Sequence, residues 1–278
     1  VATDAVRGNT KQLFPNDPSA NVTSSNYITS FDSDGFGLGQ NNDTNESGKT
    51  YVSWNWKAGN SAGSSNSDGS ITSTVSLNTA AGFSIVKYTG TGSGATVGHG
   101  LGSALSWLLV KKIESGGQAG NWTIWHKGTT QPAHDEVLFL NNNGAEADVS
   151  NDTYWYGANP TSSVFSINTN ENLNENTYDY IAYCFTEKKG FSKMDKYTGN
   201  GNSDGVFVYT GFKPAFLIFK RASATGNWQQ LDNKRLGYNV ENRTIYPNTD
   251  AAEQDEDDAD LLSNGFKLRG SGTDGNGS

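Results

Sequence analysis

Residues 82–126 read GFSIVKYTGTGSGATVGHGLGSALSWLLVKKIESGGQAGNWTIWH, and residues 190–228 read GFSKMDKYTGNGNSDGVFVYTGFKPAFLIFKRASATGNW. The second stretch is a copy of the first. Lys87-Tyr88-Thr89-Gly90 returns as Lys196-Tyr197-Thr198-Gly199. Trp107–Lys112 returns as Phe216–Arg221 at the same offset, and Gly120-Asn121-Trp122 returns as Gly226-Asn227-Trp228. Self-similarity over such a distance means one supersecondary unit written more than once. Ser106–Ile113 is apolar enough for a helix, but its copy FLIFK is aromatic and β-branched and follows Pro214, so strand fits both copies. Phe83–Tyr88 and Trp122–Trp125 read as strands as well. In the second copy the distance from Phe191 to Tyr197 is one residue longer, which a β-bulge would absorb.

Outward from this repeat lies a second one. TYVSWNWK (50–57) alternates, with Val52, Trp54 and Trp56 on one face, and TYDYIAYCF (177–185) repeats it. Tyr51, Val52, Trp54 and Trp56 map onto Tyr180, Ile181, Tyr183 and Phe185, and at the same offset Phe36 and Leu38 map onto Phe165 and Ile167. A strand pair held in register by a fixed connection produces such spacing. Asn26–Leu38 reads as two strands about an Asp34-Gly35 turn. Asn264–Leu268 is a third GF-x-L strand, Asp4–Gly8 weakly resembles Asp232–Arg235, and the acidic run Asp250–Asp260 reads as a solvated loop.

The arithmetic divides the chain into 1–58, a closing half-unit packing on the last unit or on a neighbouring subunit; 59–81, a Ser/Gly linker and lead-in strand; 82–187, a complete unit; and 188–278, a second unit lacking its final aromatic strand. By the internal spacing that strand starts just past Ser278. Three resolutions stay open: the front strand completes the last unit within the chain, it completes the next subunit by strand exchange, or the chain is a fragment cut at a unit boundary.

Composition agrees with an all-β chain. Glycine, serine, asparagine and threonine abound, while 12 Tyr, 13 Phe and 7 Trp supply apolar surface for a core. The formal charge of −9 argues against a nucleic-acid partner and against an anionic membrane surface. No apolar run reaches transmembrane length and no leader is legible. Cys184 is the one cysteine, so no intrachain disulfide forms; it reads as a small buried side chain.

The phrases SFDSDGFGLG (30–39), TYVSWNWKAG (50–59), GFSIVKYTGTG (82–92), TVGHGLG (96–102) and NWTIWH (121–126) resemble repeat modules of marine bacteriophage structural proteins, the uncharacterised tail, tail-fibre and virion-surface proteins of cyanophages and their relatives. The resemblance covers nearly the whole chain. It implies tandem antiparallel β-sandwich units, jelly-roll or concanavalin-like, in a part of the virion assembled in the host cytoplasm. Implied partners are copies of the chain, other virion proteins and a host surface glycan. One departure is Leu105, where such modules usually carry proline; the second copy keeps Pro214.

No catalytic constellation is legible. His99, His126 and His134 have no metalloprotease spacing, no serine sits in a nucleophile elbow, and Asp135 and Glu136 look like ordinary loop acids. The chain therefore reads as non-enzymatic and without a cofactor. Calcium is the arguable exception. Asn200, Asn202 and Asp204 resemble the first half of a calcium loop, but position 211 is glycine where the closing glutamate belongs, so an Asx-rich turn is the plainer reading. For a glycan, Trp155 and Tyr156 lie in a polar insert without a copy and are the expected surface aromatics. Tyr51, Val52, Trp54 and Trp56 form the expected assembly strand.

Overall fold

The structure, a computed structural model, describes the chain apart from residues 60, 61, 118, 119, 130, 131, 152, 236–238, 240 and 278. The N-terminal segment carries β1 (Lys11–Gln12), β2 (Val22–Thr23), the hairpin β3 (Ile28–Phe31) and β4 (Phe36–Leu38), and the one-turn helix α1 (Asn42–Asn45). Then come β5 (Ser64–Asn66), β6 (Ser73–Asn78), β7 (Phe83–Thr89), β8 (Ala95–Gly98), β9 (Trp107–Lys112), β10 (Thr123–His126), β11 (Glu136–Phe139), β12 (Ala147–Asp148) and β13 (Val164–Ile167). Helix α2 (Glu171–Asn174) and β14 (Asp179–Phe185) end the central part. The remainder holds β15 (Phe207–Tyr209), β16 (Phe216–Phe219), β17 (Gln229–Asp232), β18 (Glu241–Thr244), β19 (Gln254–Leu262), β20 (Gly265–Leu268) and α3 (Thr273–Asn276).

An eight-stranded antiparallel sheet, in the order β12-β11-β10-β9-β14-β7-β6-β5, dominates the molecule. Strand β14 sits between β7 and β9, with Tyr180 opposite both Tyr88 and Lys112, and Phe185 opposite both Phe83 and Trp107. Its near-continuous apolar sequence follows from burial on both faces. Tyr180, Ala182 and Cys184 share one face with Tyr88, Val86 and Val110, covered by Val97, Phe165 and Ile167 of the β8–β13 pair. Ile181, Tyr183 and Phe185 share the other face with Ile85 and Leu109, covered by Leu13 and Trp228 from the two flanking parts. A smaller core of Leu217, Leu231, Ala259, Leu261, Phe266 and Leu268 lies in the C-terminal part, where the sheet order is β15-β20-β19-β18 with β16–β17 as a separate pair.

Repeated sequence makes repeated bonds. Tyr88 Oη donates to Leu173 O (2.7 Å) and Tyr197 Oη to Gly275 O (2.7 Å). Asn174 accepts from Thr91 N–H (2.7 Å) and donates to Ser93 O (2.6 Å); Asn276 accepts from Asn200 N–H (3.1 Å) and donates to Asn202 O (2.7 Å). The YTG glycines lie in the same clasp. A Cβ on Gly90 would stand 2.3 Å from Glu175 O, and one on Gly199 2.3 Å from Gly277 O, so no side chain fits at either position. After each of the first two short helices a tyrosine closes the turn: Tyr51 Oη joins Asn42 O to Glu46 N–H, as Tyr180 Oη joins Glu171 O to Glu175 N–H. Asn41 and Asn170 cap those helices.

Four expectations change. Tyr51–Trp56 forms no strand ladder, and residues 51–59 carry no regular secondary structure. The equivalent β14 is flanked by a β7 and a β9, and the first copy contains neither flank. The GFSKMDKYTG segment is likewise no strand beyond a bridge from Ser192 to Lys188, because the third copy has no paired aromatic strand beside it. Its predicted bulge therefore has no ladder to sit in. The acidic run is a strand rather than a loop: β19 pairs with β18 and β20, and Asp260 is held by Arg269. The Gly59–Gly69 stretch read as a linker contributes β5 to the edge of the large sheet. The Asn26–Leu38 hairpin forms as expected.

The clasp generates a prediction. Asn174 is fully buried, so Asn174→Ala strands Thr91 N–H and Ser93 C=O without partners. Loss of roughly 2–4 kcal/mol is expected, read as a lowered urea midpoint at unchanged m-value. A midpoint within error of the parent chain would contradict this role.

Candidate functional site

The most built feature of the molecule is the junction where one copy meets the next. Here 1–58, 82–187 and 188–278 are the first, second and third copies. Leu13-Phe14 stands in the first where Leu138-Phe139 stands in the second. Trp122 of the second copy donates its indole N–H to Phe14 O of the first (2.8 Å), and Trp228 of the third donates to Phe139 O of the second (2.9 Å). Each tryptophan is also held within its own copy, since Asn141 Oδ1 accepts from the backbone N–H of Trp122 and Asn248 Oδ1 from that of Trp228. A backbone bond repeats beside them: Asn21 N–H to Ile113 O (3.1 Å) in one junction, Glu146 N–H to Ala222 O (2.8 Å) in the other.

A lysine sits at each junction, fully buried at Lys111 and half-buried at Lys220. Lys111 Nζ donates to Pro18 O (2.9 Å) across the boundary and to Lys112 O (2.8 Å); its counterpart Lys220 donates to Arg221 O (2.5 Å) and Ala224 O (3.4 Å). Burial lowers both ammonium groups to about 8, partly opposed by Asp17 at Lys111 and by Asp274 at Lys220. Lys111 is enclosed because carbonyls converge on it from both sides of the boundary.

The third junction element is an Asp-x-x-Arg corner. Asp4 accepts Val6 N–H and pairs with Arg7 (2.5 Å), whose guanidinium also donates to Ala2 O. Asp232 accepts Lys234 N–H and pairs with Arg235 (2.8 Å), which donates to Gln230 O. Each corner holds an aromatic from another copy. Tyr183 Oη donates to Asp4 (2.7 Å) and accepts from Arg7 (3.1 Å); Trp54 Nε1 donates to Asp232 (3.2 Å) with Arg235 over its ring. Burial raises the Tyr183 phenol far above its ordinary value, so it stays a donor. In the second copy His126 takes the aspartate's place and its Nδ1 accepts Gly128 N–H (3.0 Å). Burial lowers His126 to about 4, which keeps that nitrogen free to accept. The corner aromatics run from second copy to first and from first copy to third; the indoles run from second to first and from third to second. The contacts therefore close on themselves after three copies.

The expected site residues fall as follows. Trp155 is 2% exposed, inside the central core, with Nε1 donating to Glu136 O (3.0 Å), so it is not a surface aromatic. The polar insert covers β11 rather than projecting from it. Tyr156 is exposed, with φ +52° and its ring against Gly94. Asn200, Asn202 and Asp204 form a self-bonded turn: Asn202 N–H donates to Asn200 Oδ1, Asp204 N–H to Asn202 Oδ1, and Asp204 pairs with Lys267 (2.8 Å). Among the described residues no group of three or more metal-ligating side chains converges. Glu136 is buried in β11, its carboxyl raised by burial and by Glu146, Asp148 and Asp135. His99 is fully buried, with Nε2 on Thr161 O and Nδ1 accepting Leu101 N–H. Tyr51 and Trp56 are half-exposed, while Trp54 and Trp56 meet Phe216 at 6.3 and 5.5 Å and Trp56 meets Phe185 at 6.4 Å. Sequence reading missed the Asp-x-x-Arg corners as aromatic sockets; the weak match of Asp4–Gly8 to Asp232–Arg235 was their signal.

The junction lysines predict a pH response. Between about pH 8 and the ordinary lysine value of 10.5 the unfolded chain holds more protons at Lys111 and Lys220 than the folded chain does. These two groups therefore make stability rise with pH as it passes 8. Burial raises Cys184 and Tyr183, which pull the other way at higher pH, so the comparison belongs near pH 7.5–9. Urea unfolding in that window should show a shallower upward slope for Lys111→Met than for the parent chain. Identical slopes would contradict a strained ammonium at the junction.

No curated protein and no solved structure matches the chain. A family model described as a domain of unknown function, DUF7483, matches residues 1–278, and the chain belongs to that family.

Proposed function

We propose that the chain is a non-enzymatic structural protein of a bacteriophage particle, a tail, fibre or surface appendage, whose β-sandwich units of jelly-roll or concanavalin-like type assemble by passing a strand between copies. The phage assignment is supported by the sequence phrases in 30–39, 50–59, 82–102 and 121–126. Non-catalytic work is supported by histidines, acids and asparagines spent on turns, caps and junctions.

One observation carries the assembly reading. Residues 1–278 hold two complementary defects. The first copy has an aromatic segment, Tyr51–Lys57, with its α1 turn already closed by Tyr51 but with no ladder; Tyr51 and Trp56 are 50% and 48% exposed. The third copy has the flanks of an aromatic strand, Lys193–Thr198 and β16, with no strand between them. One insertion mends both. By the register of β14, Trp56 would lie opposite Phe216 as Phe185 lies opposite Trp107, and Tyr51 would stack near Tyr197 as Tyr180 stacks on Tyr88 at 5.3 Å. Unpaired edges beside aromatic faces are association sites unless filled. Within its own chain the segment reaches the third copy through side chains, Trp54 on Asp232 and Trp54 and Trp56 on Phe216, and forms no ladder there, so the reading gives the ladder to the Tyr51–Lys57 segment of a second copy. An acidic surface limits association elsewhere.

Light scattering on residues 1–278 should show multimers whose share grows with concentration. Ser53→Pro removes a ladder donor from a segment that forms no ladder in the single chain, so it should leave the melting temperature unchanged and abolish the multimers. A strictly monomeric parent chain, or multimers untouched by Ser53→Pro, would overturn strand passing.

A further inference from the structure

The second copy shows what lies beside β8, and the third copy has no counterpart of it. In the second copy the lead-in to β6 runs along the outer edge of β8, parallel to it, with a bridge between Ile71 and Val97. Thr96 N–H donates to Ser70 Oγ (2.9 Å), Ile71 N–H donates to Thr96 O (3.0 Å), and Ser73 Oγ donates to Gly98 O (3.0 Å). Ile71 belongs to the central core with Val97, which is 0% exposed. Strand β15 is the counterpart of β8, since Val208 lies opposite Phe266 as Val97 lies opposite Phe165. Phe207 and Tyr209 therefore stand where Thr96 and Gly98 stand.

The outer edge of β15 is open. Val206 O accepts from Leu268 N–H (3.1 Å) and Thr210 N–H donates to Asn264 O (3.0 Å), so alternation turns the backbone groups of Phe207 and Tyr209 away from β20. Strand β15 ends its sheet, and among the described residues none outside β20 bonds to the backbone of either. Val206 and Val208 are half-buried, whereas Ala95 and Val97 are buried. The outer face differs too. In the second copy Asn66 leaves no room for a Cβ on Gly98; in the third, Tyr209 carries a ring there, and Phe207 lies over Gly265, whose Cβ would stand 2.8 Å from it. These aromatic side chains cover the face in place of the lead-in, and they leave the edge free.

We propose that this edge takes up an extended peptide segment of another protein, laid parallel to β15, uncharged, with an aliphatic residue next to hydroxyl-bearing ones. Ser70-Ile71-Thr72-Ser73 on β8 supplies the pattern. The aliphatic side chain would cover Val206 and Val208, and the hydroxyls would meet Phe207 N–H and Tyr209 O. Charge agrees: in a chain of net charge −9, residues 205–212 carry none, and neither do residues 70–78. An edge strand without charges is a pairing site. The segment comes from a different protein because the lead-in of each copy of this chain is spent on its own β8. The site rests on comparing the two copies, independently of strand passing.

The test is an amide NMR titration of residues 1–278 with a capped synthetic peptide of residues 68–74, DGSITST. Amide shifts of residues 206–210 should saturate, with Kd on the order of 1 mM. Those of β8 should stay in place, because its lead-in is tethered and competes at high effective concentration. Phe207→Pro removes the N–H that meets the first hydroxyl and no bond to β20, and should weaken binding at least about tenfold. If that variant does not fold, the peptide carrying Ile71→Pro, which lacks the N–H that meets Phe207 O, should fail to saturate the parent chain. Unmoved amides at 206–210, equal binding of the two peptides, or equal binding by a folded Phe207→Pro chain would overturn the assignment. So would methyl glycosides that saturate the ring signals of Phe207 and Tyr209 while the peptide does not, since the aromatic pair would then be a sugar platform. The Ser53→Pro chain, in which strand passing is blocked, should bind the peptide with the same Kd, and loss of binding there would overturn the independence of the site.

Discussion

A strand in the middle of a sheet needs a neighbour on each side, and this requirement decides what each copy can be. Strand β14 gives its whole backbone to β7 and β9 and buries side chains on both faces. With it in place, the GFSIVKYT segment is a seven-residue strand. Without it, the closely related GFSKMDKYT segment keeps only its tyrosine, bonded to Gly275 O and packed edge-on to Phe219 and Phe266, and has no ladder. The same local sequence thus takes different backbone pairing because its partner differs, as expected where packing rather than intrinsic preference sets strand formation.

The junctions show how a repeat with unequal copies stays one body. Each tryptophan spends its amide on its own copy and its indole on the preceding one, so movement at the boundary breaks bonds of both. The buried Asp-x-x-Arg corners are costly to desolvate, and each is repaid by an aromatic donor or by a carbonyl that completes the hydrogen bonding. Closure after three copies accounts for the position of Trp54, which reaches the third copy although its backbone belongs to the first. That arrangement holds the unpaired aromatic segment against the third copy with Tyr51 and Trp56 exposed.

Much of this was legible in the sequence. The repeats, the all-β class, the Asp34-Gly35 hairpin, the strand assignment of Trp107–Lys112 over a helix, and the Asx-rich turn at Asn200 all follow from spacing and turn chemistry. Three things were not legible. Trp155 looked exposed because its neighbours are polar, yet its indole plugs a core through Glu136 O, a contact between residues far apart in the chain. The acidic Gln254–Leu262 became a strand because Ala259 and Leu261 alternate inward against Phe266 and Leu268, a short apolar period hidden among carboxylates. Tyr51–Trp56 has the alternation of a strand and lacks the flanks, and alternation records what a segment can pair with, not whether the partner is present.

The central claim is that one β unit recurs and that its strand pairing depends on the aromatic strand at its centre. Native-state amide hydrogen exchange on residues 1–278, at a concentration where the chain is monomeric, tests it most directly. The account predicts strong protection at Ile85–Tyr88 and weak protection at Met194–Tyr197, the equivalent stretch, together with fast exchange at Val52–Trp56. Equal protection of the two equivalent stretches in the monomer would contradict it.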